Sequence, residues 1–274
     1  MKCFRPERND ERSLRRMKSK GAPLSAIVKM DWHTRYTQQA KWTRDLRAYI
    51  FNKIDLNDMH RVLEVGCGTG AILSELPTQF SLNGLDIDPD TLTQCQVHVP
   101  SAVLTCGDAL KLPYPDNLFD AAYCHFLLLW VKDPMQALLE MKRVTKDNGY
   151  IIAFAEPDYE NRIDTPEELA QLGKWQTASL RKQGADPGFG TRLAESFFRA
   201  GIRIIETGPI QNVGNEASLD DWEIEWKVIE SDLAGMVTEA DIQKMKHIDS
   251  AARERGDRVL NVQTYFAWGI NKSR

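Results

Sequence analysis

The chain has 274 residues, 42% hydrophobic and 27% charged, with a formal net charge of −4, enough for one large domain with a substantial core. This composition excludes collagen-like, low-complexity and wholly disordered chains, and no apolar run is longer than Phe126 to Val131, far short of the roughly 20 residues of a membrane helix. Five cysteines (Cys3, Cys67, Cys95, Cys106, Cys124) include no C-x-x-C pair, which argues against a disulfide framework or zinc knuckle and for a reducing, cytoplasmic setting.

Residues 1–20 carry eight basic and three acidic side chains with no apolar segment among them, so they do not read as a secretory leader. Residues 1–30 are expected to form a basic, flexible arm; an arm of that charge is also what a nucleic-acid-binding enzyme would use. Residues 31–54 follow as a helical lead-in, with Leu46, Tyr49, Ile50 and Ile54 at helical spacing.

From residue 60 to 156 short β-branched runs alternate with helical stretches, the pattern of a parallel sheet with crossover helices. Strands are predicted at 61–65, 81–85, 102–105, 119–124 and 150–155. Asp88-Pro89 and Asp133-Pro134 each place an Asp N-cap before a proline at the first helical position, where no N–H is needed. The second of these helices should bury Met135, Leu138, Leu139 and Met141 and stop near Asn148-Gly149.

Past residue 156 the rhythm breaks. Helices are predicted at 165–183 and 192–200, a strand at 202–206, and a helix at 218–233 opened by a Ser218/Asp221 capping box and carrying Leu219, Trp222, Trp226, Ile229 and Leu233 on one stripe. A charged helix at 238–256 and a last strand at 262–268 close the chain. The expected fold is α/β: a doubly wound, mostly parallel seven-stranded sheet with helices on both faces and a helical insertion before the last strand. Residues 31–274 form the main domain, with 157–200 and 213–258 as elements that cover a substrate.

The motif that carries chemistry is Val62-Leu63-Glu64-Val65-Gly66-Cys67-Gly68-Thr69-Gly70. A strand enters a glycine-rich turn expected to open a helix, where bare backbone and free N–H groups meet a negatively charged ligand group. Gly66, Gly68 and Ala71 also satisfy the dinucleotide spacing G-x-G-x-x-G/A. Asp86 ends the second strand, followed by Ile87, and its two oxygens suit a ribose diol of either NAD or a single adenosine.

In these residues the sequence resembles the class I S-adenosylmethionine-dependent methyltransferases over about residues 31–156. Glu64, Gly66, Gly68 and Gly70 match the family's first motif, Asp86 its acidic ribose ligand, and Gly107-Asp108 its third-strand pair, with Ala109 alongside. Residues 112–125, then Glu140, Arg143 and Val144 before Asn148-Gly149, are similar to the small-molecule branch that includes quinone-biosynthesis methyltransferases. The resemblance implies S-adenosylmethionine as cofactor, a small-molecule acceptor, and cofactor contacts at Tyr36, Arg44, Glu64, Gly66, Cys67, Gly68, Gly70, Asp86, Ile87, Asp108, Ala109 and His125. Arg44 or Arg35 would pair with the cofactor carboxylate, and Tyr36 and Trp42 would close that side.

For a proton acceptor the sequence offers His125, Glu156 and Asp158 at the carboxyl edge of the sheet, and His33 and His247 in helical regions; His125 is the favoured catalytic base. Where the quinone-type branch often has a His-His pair, this chain reads Leu129-Trp130, which is expected to be an apolar pocket wall. The alternatives are a nucleic-acid or protein methyltransferase using the basic arm, an NAD-dependent oxidoreductase, or a cofactor-binding module without turnover.

Overall fold

A computed structural model describes residues 31–54, 60–77, 79–210 and 219–272. The predicted arm at 1–30 and the Ser218 end of the capping box lie outside the described residues. Two helices lead in, α1 (Trp32–Trp42) and α2 (Arg44–Lys53). The order continues β1 (Arg61–Val65), β2 (Ser81–Asp86), α3 (Pro89–His98), β3 (Val103–Cys106), β4 (Phe119–Cys124), α4 (Pro134–Val144) and β5 (Thr145–Thr165). After β5 come α5 (Ala170–Lys182), α6 (Leu193–Arg199), β6 (Arg203–Pro209), α7 (Leu219–Leu233), α8 (Glu239–Arg255) and β7 (Val259–Ile270).

The strands form one seven-stranded sheet in the order β3-β2-β1-β4-β5-β7-β6. Pairings are parallel from β3 through β5, and β7 runs antiparallel to both β5 and β6. Alternation along the strands assigns each face its core. Val62, Ala121, Tyr123, Ile152 and Phe154 pack with Ala40, Ile50, Leu92 and Cys95 from α1, α2 and α3. Leu63, Val65, Ala122, Ile151 and Ala153 pack with Leu138, Met141 and Phe197 from α4 and α6 on the other face. The sheet is therefore doubly wound, with α7 and α8 inserted before its last strand.

Three local expectations change. The glycine turn does not open an α-helix: Leu73–Glu75 makes a single 3-10 turn, and Leu76 takes an extended ψ of 148° because Pro77 disfavours the helical region for the residue before it. β5 extends well beyond residue 155, since β7 supplies a partner as far as the Thr165–Val259 pairing. Thr165 thus ends a strand, and the following helix starts at Ala170 after a short 3-10 turn. On α4, Leu139 is exposed, because the inward stripe is Ala137, Leu138, Met141 and Val144.

Candidate active site

At the carboxyl end of β1 the chain turns through Gly66, Gly68 and Gly70 with φ of 76°, 50° and 82°, conformations that glycine adopts without a Cβ penalty. The Gly66 and Cys67 N–H groups donate to the Leu85 carbonyl at 2.7 and 3.0 Å, and the Gly68 N–H donates to Asp86 Oδ2 at 2.8 Å. Asp86 Oδ1 accepts from the Asp88 N–H at 2.9 Å. The turn is thereby fastened to the end of β2. It is also closely packed: a Cβ at Gly66 would lie 2.7 Å from Leu127 Cδ1, and one at Gly68 would lie 3.1 Å from Tyr36 Cε2.

Other predicted residues share this sheet edge. Ile87 presents an apolar side chain that is 40% exposed. Exposed Asp108 accepts the Leu110 N–H at 2.9 Å, and Ala109 is buried beside it. Glu64 lies beneath the turn, buried, accepting from the Tyr123 hydroxyl at 3.2 Å; burial pushes its carboxyl well above the usual range. Cys67 is buried against Cys95, and that thiol contact together with burial pushes the Cys67 thiol up.

α1 covers the turn. His33 Nδ1 lies 2.9 Å from Thr69 Oγ1, and its ring stacks on His98 with centroids 3.5 Å apart. Arg35 donates to Gln38 and Glu225, each at 2.6 Å, and lies over the Trp42 ring at 5.0 Å, so it joins α1 to α7. Arg44 is 61% exposed and pairs with Glu75 at 3.1 Å. Buried Arg47 donates to the Ala40 carbonyl at 2.7 Å, to Thr43 Oγ1 and to Glu75. Arg47 was not among the predicted site residues, yet its spacing of three and seven from Ile50 and Ile54 puts it on the same inward face.

The proton-acceptor candidates take other roles. His125 Nε2 lies 3.0 Å from Thr43 Oγ1, and loss of water around the ring, with Arg47 nearby, lowers its pKa to about 3. It is therefore a neutral imidazole joined to the α1–α2 corner, and its geometry does not support a catalytic base. Both oxygens of Glu156 accept backbone N–H groups of residues 127–129. Asp158 accepts from the Glu160 and Asn161 N–H groups and from Asn161 Nδ2. His247 is exposed on α8.

Leu129 is buried in the core, not on a pocket wall, and Trp130 is exposed. Phe126, at φ 51°, meets Trp42 edge-on at 6.4 Å. The Trp222/Trp226 stripe belongs to a satellite core with Leu172, Ile229 and Leu233. Both indoles donate to Asp249, Trp226 at 2.9 Å.

Residues 63–153 match the sequence model of a family described as "Methyltransferase domain". The chain is 32% identical over 148 residues to an uncharacterised methyltransferase of Schizosaccharomyces pombe, covering 48% of this chain and 53% of that protein. It is 34% identical over 119 residues to the ubiquinone/menaquinone biosynthesis C-methyltransferase UbiE of Citrifermentans bemidjiense, covering 40% and 51%. The chain thus spans about half the length of these curated relatives. Among solved structures, one of a Bacillus halodurans protein provisionally assigned as a methyltransferase superposes with a TM-score of 0.58 at 14% identity, covering 82% and 98% of the two chains. The cyclase SpnF superposes with a TM-score of 0.54 at 20% identity, covering 79% and 76%. The fold is therefore that of the class I methyltransferases, and fold alone does not name the reaction.

Proposed function

We propose, from the premise that residues 63–153 are a methyltransferase domain, that this chain transfers a methyl group from S-adenosylmethionine to a small-molecule acceptor. The observation that carries this reading is the joint between Gly68 and Asp86, a carboxylate held at 2.8 Å from a bare glycine turn. An ionised carboxylate has about four acceptor positions, so accepting from Gly68 and Asp88 is compatible with ribose hydroxyls at the same group. The turn at residues 66–70 would hold the amino acid end, Ile87 one face of the adenine, and Asp108 and Ala109 its edge. The residues present fit the cofactor.

When bound, the cofactor supplies an electrophilic methyl group for in-line displacement. The chain supplies position and dryness. His33 and Tyr36 bring α1 over the turn, and the Trp42–Phe126 pair beside His125 would wall the acceptor. Those rings, together with the quinone-biosynthesis relatives, support an apolar or aromatic acceptor. A dinucleotide pyrophosphate would rest on a helix N-terminus, whereas this turn leads into one 3-10 turn; that disfavours the NAD alternative. The free thiols of Cys67, Cys95, Cys106 and Cys124 support a cytoplasmic setting, and among the described residues no helix is long and apolar enough to cross a membrane.

Isothermal titration tests the reading directly. S-adenosylhomocysteine should bind one to one and NAD should not. Labelled methyl donor incubated with a cell extract should then mark a low-mass product. NAD binding in place of S-adenosylhomocysteine, or label transferred only to RNA or protein, would overturn it.

A further inference from the structure

Glu156 sits where β5 leaves the parallel part of the sheet, and its side chain is completely buried. Oε1 accepts the backbone N–H groups of Leu127 at 3.1 Å and Leu128 at 2.8 Å, and Oε2 accepts that of Leu129 at 3.0 Å. Three successive donors converge on one anion only if the chain wraps around it, as in anion-binding backbone nests. The Phe126 N–H donates to the Ala155 carbonyl at 2.9 Å, so the chain leaving β4 is joined to the middle of β5 immediately upstream of Glu156. Phe126 itself holds φ of 51°, a conformation that a bulky residue keeps only when its surroundings impose it.

The wrapped loop reaches the cofactor turn through Leu127. A Cβ at Gly66 would lie 2.7 Å from Leu127 Cδ1 and 3.3 Å from its Cγ, so this side chain rests directly on the first glycine. We propose that Glu156 is a positioning residue for cofactor binding, acting through the Leu127–Leu129 backbone and the Leu127 side chain to hold the Gly66 turn and the His125–Phe126 backbone in place. The inference rests on the cofactor reading above and adds a residue that does not itself touch the ligand. A role as proton acceptor for the substrate is incompatible with full burial and with both oxygens being engaged by the loop.

Burial pushes the Glu156 carboxyl up to about 7, while the N–H groups of Leu128, Leu129 and Leu127 draw it down. Of its titratable neighbours, Cys124 on β4 is kept neutral by burial, which pushes its thiol well up. Asp186, whose N–H donates to the Leu129 carbonyl at 2.7 Å, has its carboxylate paired with Arg192. Above pH 7 both Glu156 oxygens accept. Below it, the added proton turns one acceptor into a donor facing the loop's own donors, and the turn loosens.

The test is isothermal titration of the full chain with S-adenosylhomocysteine between pH 6 and 8.5. Wild type should bind more tightly as pH rises through about 7. Glu156→Gln, whose amide nitrogen cannot accept from the loop, should bind about tenfold more weakly at high pH, the scale of one lost charge-assisted hydrogen bond, and should lose the pH dependence. Leu127→Ala keeps the carboxylate and all three N–H donors, and should weaken binding while retaining the pH dependence; it stands in if Glu156→Gln does not fold. Wild-type affinity in either variant, with binding still weakened by Asp86→Ala, overturns the positioning role. Failure of wild type to bind S-adenosylhomocysteine at any pH overturns the underlying cofactor reading.

Discussion

Gly68 donates its backbone N–H to Asp86 Oδ2 at 2.8 Å, so the middle of the glycine turn and the end of the neighbouring strand move as one unit. Replacing Asp86 by alanine removes both the proposed ribose ligand and this tie. S-adenosylhomocysteine affinity should fall by about 1.5–3 kcal/mol, the scale of hydrogen bonds to charged groups. Calorimetry showing unchanged affinity would remove Asp86 from the cofactor site.

Gly68 itself has φ of 50°, and a Cβ there would come within 3.1 Å of the Tyr36 ring. Gly68→Ala should destabilise the chain by about 1–2 kcal/mol through the left-handed backbone alone, with a further loss from displacing Tyr36. Urea denaturation of Gly68→Ala in a Tyr36→Ala background separates the two. Relief of the whole effect in that background would show that the backbone conformation costs nothing.

His125, joined to Thr43 at 3.0 Å, has its pKa lowered to about 3, far below its unfolded value of about 6.5. Between these limits the unfolded chain binds the extra proton, so stability due to His125 rises with pH up to about 6.5 and is lost on acidification. Comparing urea midpoints at pH 7 and pH 5, wild type should lose more stability than His125→Gln. Equal losses would show that the folded imidazole protonates normally.

Asp249 anchors the satellite core by accepting from the Trp222 and Trp226 indoles and from Arg258. Burial opposes its charge, but Trp226, Trp222 and Arg258 overcome this and leave the carboxyl below the usual range. Its contribution to stability is thus present above the ordinary carboxylate pKa of about 4 and lost as pH falls through the lower folded value. Asp249→Ala leaves Arg258 beside Asp164 alone and should cost roughly 3–5 kcal/mol, as when one partner of a buried pair is removed. A midpoint shift in urea below about 1 kcal/mol would place this cluster among surface pairs.

Much of the site is written locally. Near-continuous apolar runs along Arg61–Val65 and Phe119–Cys124 specify buried strands, Asp88-Pro89 and Asp133-Pro134 specify helix starts, and closely spaced glycines specify a turn that other residues resist. Each is a preference of a few adjacent residues, so it survives in the bare sequence. The strands of the parallel half and the glycine turn followed from it, whereas the order of the strands across the sheet was decided by their pairing.

The roles of the charged residues were settled elsewhere. Arg44 and Arg47 look alike in sequence, but helix phase sends one outward and the other inward onto Thr43 and Glu75. Glu156 and His125 read as candidate bases, and became a loop anchor and a neutral hydrogen-bond partner when folding brought residues 127–129 and Thr43 to them. A buried polar group must find its partners wherever the packed chain offers them, and those partners lie tens of residues away, beyond the reach of local pattern.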